Sequence, residues 1–282
     1  MKKPVKIQKK VRVIPGFGLT MGITVAMVST IIIIPLASVL LYSFRLSPAE
    51  FFSLISAPNV VNAFVTSIVC ALIAAFINCI FGLLLAWVLV RYDFFGKRIL
   101  DGLIELPFAL PTAVAGITLS KMYSNTGFPG SFLSSIGIDV SYTHLGIVVA
   151  LVFIGIPFTV RSVQPVLETL DGQYEEAAYI LGASRRRTFF KVILPELFPS
   201  LLTGFSLALA RGIGEYGSVI YISGNSAKNG TQVVSYVIMQ KLERLDYSSA
   251  TAIALVMLII SFVLMFAINI IQIRRSRRVN AM

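Results

Sequence analysis

Of the 282 residues, 56% are hydrophobic and only 13% are charged, with a mean hydropathy of +0.85. Soluble domains carry about a quarter charged residues, so too few polar groups remain here to cover a soluble surface, and a polytopic membrane protein is indicated. The net charge of +11 sits mostly in short basic flanks beside apolar runs, the pattern that orients membrane helices, which sets nucleic-acid binding aside.

A helix needs about 20 apolar residues to cross the hydrocarbon, and six segments qualify. A basic arm (Lys2, Lys3, Lys6, Lys9, Lys10, Arg12) leads into the first, from about Phe17 to Phe44. Its apolar part is too long for a signal peptide, and no small-residue cleavage pattern follows Tyr42, so it reads as a retained helix. The second runs from about Asn62 to Val90. It holds Cys70 and Cys79, which nine residues of separation put on opposite sides of a helix; they read as small packing residues with no redox or metal role.

The third segment, Leu103 to Tyr123, is interrupted by Pro107, Pro111 and Gly116. The fourth, Thr143 to Val163, contains Gly155 and Pro157. Proline removes a backbone donor, so both are expected to kink and lean on neighbours. The fifth, Phe198 to Ile222, carries two charges, and the last, Ala250 to Ile273, is uninterrupted. The stretches after Tyr123 and Ile222 are rich in Gly, Ser and Asn and read as flexible outer connectors.

Lys and Arg set the orientation. Eighteen lie in one set of flanks: the basic arm, then Arg91, Lys97, Arg98, Arg161, Arg185, Arg186, Arg187, Lys191 and the cluster from Arg274 to Arg278. Five lie opposite: Arg45, Lys121, Lys228, Lys241 and Arg244. Both termini and the loop before the fifth segment are therefore expected in the cytoplasm, with an even number of crossings. Glu105 is expected near the cytoplasmic interface, and His144 at an outer helix end. The chain divides into residues 1–61 (basic arm, first helix, outer loop), 62–273 (a five-helix core including a loop at 165–197) and a basic tail at 274–282.

That loop is the polar stretch in an apolar chain. Asp171 is suited to cap a helix, with Glu175 and Glu176 near its first turn, where the macrodipole favours anions. Gly182 suits the stop, and Ser184 the cap of a second short helix that closes at Pro195, so Gly182 to Ser184 should bend between two helices. Ala177 and Ala178 offer a side-chain-poor face, and Arg185, Arg186 and Arg187 offer donors to carboxylates. The residues alone fit either a docking element or a solvated loop lying on anionic lipid.

Here the sequence resembles a family. Glu176-Ala177-Ala178, three residues, Gly182, nine residues, then Val192-Ile193-Leu194-Pro195 is similar to the signature of binding-protein-dependent ABC importer permeases, with Val192 where Ile is usual. The resemblance implies an all-α, type I ABC importer permease fold of six transmembrane helices. It also implies that Glu176, Ala177, Ala178, Gly182, Leu194 and Pro195 couple to a separate cytoplasmic ATPase. The chain has no phosphate-binding Gly-x-x-x-x-Gly-Lys-Ser/Thr loop, so ATP-Mg is expected on that partner and no cofactor here.

Arg211 and Glu215 lie inside the fifth segment, four residues apart and thus on one face. Charges at that depth are costly and face a bundle interior or a watery path. Two readings stand. The pair braces the bundle, or Arg211, Gly214, Glu215 and Tyr216 line the translocation route, with glycines permitting local unwinding. Leu106-Pro107-Phe108-Ala109-Leu110-Pro111-Thr112 through Gly116 resembles oxyanion-importer permeases, and Ala210-Arg211-Gly212-Ile213-Gly214-Glu215-Tyr216-Gly217-Ser218 resembles their sulfate/thiosulfate members, the T-type subunit in particular.

Those likenesses imply sulfate or thiosulfate import by alternating access, with two ATPase copies, a second permease (a W-type relative or a second copy) and an extracytoplasmic binding protein in an inner membrane. Molybdate or tungstate import is the alternative. A secondary transporter or an intramembrane enzyme would leave the Glu-Ala-Ala loop unexplained. No metal set, nucleophile triad or catalytic carboxylate pair is visible, so no bond-making chemistry is assigned to this chain.

Overall fold

A computed structural model describes residues 17–170 and 172–279; the basic arm and Asp171, with its expected cap, lie outside them. Among the described residues all regular structure is helical. Four spans run unbroken or nearly so: α1 (Phe17–Ser43), α3 (Pro58–Arg91), α7 (His144–Thr169) and α9 (Arg185–Ile213), and a fifth lies within α12 (Tyr247–Val279). A short α2 (Pro48–Ile55) links the first two. Its Ser47-Pro48-Ala49-Glu50 start is a capping box. The Ser47 backbone N–H, then its hydroxyl, donates to the Glu50 carboxylate at 2.8 Å and holds that acid below its ordinary range.

The third expected span is not a kinked helix. It is two helices, α4 (Lys97–Ala109) and α5 (Thr112–Met122), bent by 113°. The residue before a proline is pushed out of the helical region, and Leu110 (ψ 135°) and Pro111 (ψ 129°) are both extended. The fourth segment behaves differently. Pro157 and Pro165 both lie inside α7, which continues through them to Thr169, well past the expected Val163.

Packing accounts for that continuity. More than half of the most apolar window of α7 is buried, whereas none of that of α1 is. Helix α7 lies at the centre, clasped by α3 and α9. Small residues let the three backbones approach. Gly82 of α3 and Gly204 of α9 both abut Thr159, while Gly155 abuts Asn78. Apolar clusters lie on either side of this crossing. One joins Ile147, Leu151, Leu209 and Ile253 near the His144 end of α7; the other joins Leu89, Val163, Leu167 and Leu197 near its Thr169 end.

The fifth expected span, Phe198 to Ile222, also needs correction. Helix α9 begins at Arg185 and ends at Ile213, residues 214–218 leave the helix, and α10 (Val219–Ile222) resumes for one turn. The stretches read as connectors contain structure as well. Helix α6 (Gly130–Ser135) follows α5, and α11 (Val234–Glu243) buries Val234 and Val237. Two bonds fasten the approach to α11 onto α3: Thr66 donates to the Gly230 carbonyl at 2.8 Å, and the Val234 N–H donates to the Ser67 hydroxyl at 2.8 Å. His144, the first residue of α7, sits beside the same carbonyl, with Nε2 3.1 Å from the Gly230 oxygen.

Candidate functional site

The loop and the broken helices form two separate regions. In the loop, α8 (Gln173–Ile180) is followed by Gly182 at φ +77°, and Ser184 then accepts the Arg187 N–H at 3.4 Å as the cap of α9. The expected stop, bend and second cap appear where the sequence put them, but the second helix is not short: α9 continues past Pro195 to Ile213. The Gly182 N–H donates to the Tyr179 carbonyl at 2.9 Å, and the Ala183 N–H to the Ala178 carbonyl at 2.9 Å, which closes the turn. A five-residue π-turn, Phe189–Ile193, follows before Leu194 and Pro195; such turns mark helices whose ladder has absorbed an extra residue.

The alanine pair divides between two environments. Ala177 is exposed, whereas Ala178 is buried against its own chain, so the small-residue face expected to be open is open at only one of the two. Glu176, exposed, lines a shallow groove with Glu175, Tyr179 and Ile180. Ile180 and Leu181, at 87% and 86% exposure, leave an apolar tip that water alone does not favour. Arg185, Arg186 and Arg187 are exposed and form no ion pair among the described residues.

Sequence reasoning missed how this loop is tied to the spans. Glu175, read only as a dipole partner, pairs with Arg91 at the end of α3, at 2.5 Å. Trp87, one turn earlier, lies 5.5 Å from the Arg91 guanidinium and meets Phe189 edge-on, with ring centroids 5.5 Å apart. The spacing of Trp87 and Arg91 at i and i+4 was the available signal. Arg161 of α7 holds both Asp101 and Glu105 of α4, each at 2.8 Å.

In the second region the two stretches resembling oxyanion permeases meet. Gly116 of α5 lies so close to residue 218 that a Cβ there would fall 2.6 Å from the Ser218 Cα, and nearer still to its carbonyl oxygen. Gly217 abuts the Thr112 hydroxyl in the same way. Glu215, 3% exposed, explains why the chain leaves the helix here. Its Oε1 accepts the Ser218 N–H at 2.8 Å and the Ser218 hydroxyl at 3.0 Å, and its other oxygen pairs with Arg211. Ser235, on α11, donates to the Glu215 carbonyl at 2.8 Å.

Both carboxylate oxygens are thus engaged, whereas about a third of the Arg211 side chain stays open. Gly214 is exposed and Tyr216 half-buried. Bracing fits Glu215 best. The E215Q change keeps the shape but turns an amide toward Arg211, and a broken buried pair costs about 3–5 kcal/mol, less where one partner reaches water. We expect several-fold less assembled protein in membranes by immunoblot. Normal amounts with lost transport would assign the carboxylate to the route instead.

Comparison with known proteins decides the family. The binding-protein-dependent transport system inner membrane component family matches residues 79–280. The chain belongs to that family. It is an inner-membrane, multi-pass permease subunit of an ABC importer. The sulfate transport system permease proteins CysT of Salmonella typhimurium and of Escherichia coli are each 48% identical to this permease over 268 residues, covering 95% of it and 96% of each relative. The CysT protein of Synechocystis is 41% identical over 250 residues, covering 89% of this permease and 87% of its own length.

Among solved structures, a bacterial ABC transporter involved in the import of the acidic polysaccharide alginate has a chain that superposes with a TM-score of 0.76 at 16% identity, covering 92% of this permease and 96% of that chain. A methionine ABC transporter chain gives 0.57 at 17% identity, covering 82% and 99%. These likenesses establish the type I importer permease fold. The expected six spans correspond to five long helices plus the bent α4–α5 pair.

Proposed function

We propose that this permease forms the translocation pathway of an ATP-driven importer of sulfate or thiosulfate. The observation that carries the substrate is the 48% identity to sulfate permeases across 95% of the chain. Coupling is supported by the loop. Its turn at Gly182, the exposed Glu176 and Ala177, and the bare tip at Ile180 and Leu181 form a surface suited to a groove in another protein. Leu194 and Pro195 lie within α9, directly after its π-turn.

In this reading two ATPase copies carrying ATP-Mg dock on the loops of two permeases, the second being a W-type relative or another copy. A binding protein delivers the anion from the opposite side, and both termini face the ATPase side. A solved alginate transporter complexed with its periplasmic protein gives the fold-level precedent. Movement of the loop reaches α3 through Arg91 and α9 through the π-turn, and biases which side of the route is open. Arg211, steadied by Glu215, presents positive charge beside Gly214 and Tyr216, at the place where α9 ends. No bond is made or broken on this chain.

Deleting the gene should abolish growth on sulfate as sole sulfur source while growth on cysteine persists. Uptake of labelled molybdate, rather than sulfate, by the complemented strain would move the assignment to molybdate or tungstate import.

A further inference from the structure

At the end of the molecule away from the α8 loop, α5 and α10 frame an open cleft of about 370 Å³ that the reading above does not use. Lys121, at the C-terminal end of α5, lines it with Ser120, Ser124, Thr126, Tyr142 and Tyr221. No carboxylate lines it. The Lys121 ammonium forms no ion pair among the described residues, and the hydroxyls of Ser120, Tyr142 and Tyr221 have no hydrogen-bond partner among them. One positive charge, several unspent O–H donors and no competing acid together suit a small anion with oxygens on every side.

The cleft is also built, not merely left over. Tyr142 sits at φ +66°, a conformation that bulky residues seldom adopt and that persists only where the surroundings impose it. Its N–H donates to the Ile222 carbonyl at 2.7 Å, which ties it to the end of α10. Ser141, next to it, donates to the Ser120 carbonyl at 2.8 Å and ties the same turn to α5. One turn nearer the start of α5, Gly116 presses on Ser218 just before α10, and Thr112 meets Gly217, next to Glu215 and Arg211. The cleft therefore opens at the far end of two elements whose near ends pack beside the turn that holds the intramembrane ion pair.

We propose that this cleft binds a tetrahedral oxyanion, held by the Lys121 ammonium and the hydroxyls of Ser120, Tyr142 and Tyr221. The anion is dissolved sulfate on its way to Arg211 or the phosphate of a lipid headgroup; sulfate rests on the substrate reading above. Thr126, exposed at the rim, is the reporter position.

In a C70A/C79A background, the T126C thiol is labelled with a membrane-impermeant, negatively charged reagent in the assembled importer in nanodiscs. Inorganic sulfate at about ten times its dissociation constant, but not chloride at equal ionic strength, is expected to slow labelling about tenfold, in proportion to occupancy of the cleft. K121R should keep most of that protection and K121M should lose it. Slow labelling without sulfate in phosphatidylglycerol discs, relieved in discs of phosphate-free glycolipid and by K121M, would identify the headgroup as the oxyanion. Labelling that responds to neither sulfate nor lipid, or protection that survives K121M, overturns the proposal. Sulfate uptake by the unaltered chain is measured in parallel, so an importer that carries no sulfate removes the substrate reading while T126C still reports on the cleft.

Discussion

Replacing Gly116 by valine is expected to leave almost no assembled permease in the membrane. A side chain at this position of α5 meets the backbone of Ser218, not a movable side chain, with the Cα only 2.6 Å from the new Cβ. Either α5 or the 214–218 turn must retreat, and overpacking of this kind costs about 1–3 kcal/mol or more where backbone has to move. A retreat by the turn also pulls Ser218 from Glu215 and so loosens Arg211. The measurement is the amount of folded protein extracted in mild detergent and its melting temperature. Gly102, on α4, has open space within 4 Å of where a methyl group would sit, so G102A is the control and should change neither. Normal stability of G116V would mean that α5 and the turn are not held together as described.

Transport that stops while the protein stays in the membrane is the expected outcome for Gly182→Pro. The φ of +77° at this residue is closed to proline, whose ring fixes φ near −65°, and the substitution also deletes the N–H that bonds Tyr179. The turn between α8 and α9 must then open. Because a Cβ on Gly182 would meet nothing within 4 Å and the residue lies outside both apolar clusters, the spans should fold unchanged. Uptake is expected to fall at least about tenfold, equivalent to about 1.4 kcal/mol of lost coupling, with ATP hydrolysis by the complex no longer responding to substrate. The milder G182A places a methyl at positive φ, which costs about 1–2 kcal/mol, and should fall between. Undiminished uptake in G182P would detach the α8 loop from the ATPase.

The loop was the most legible part of this protein because its signals are local. Gly182 and Ser184 act on their own and adjacent peptide groups, and a turn built that way is the same in any tertiary setting. Arg211 and Glu215 were legible as a pair for the same reason, since four residues of helix bring them to one face. The role of Glu215 was not. Its second oxygen is occupied by Ser218 because the helix stops at Gly214; the glycines of this segment permitted unwinding but did not fix where the helix would stop or what the carboxylate would meet.

The apolar runs and the distribution of Lys and Arg determined by themselves that the chain enters a membrane repeatedly, because desolvation of an apolar run depends on composition alone. Tertiary structure decided which prolines matter. Pro157 sits in a helix gripped by α3 and α9, so the lost hydrogen bond is absorbed; Pro111 caps the start of α5, and the chain turns through 113° between α4 and α5. It likewise decided that α11 is part of the core, since Val234 finds Ser67 across 167 residues of sequence, a partner no local pattern can announce.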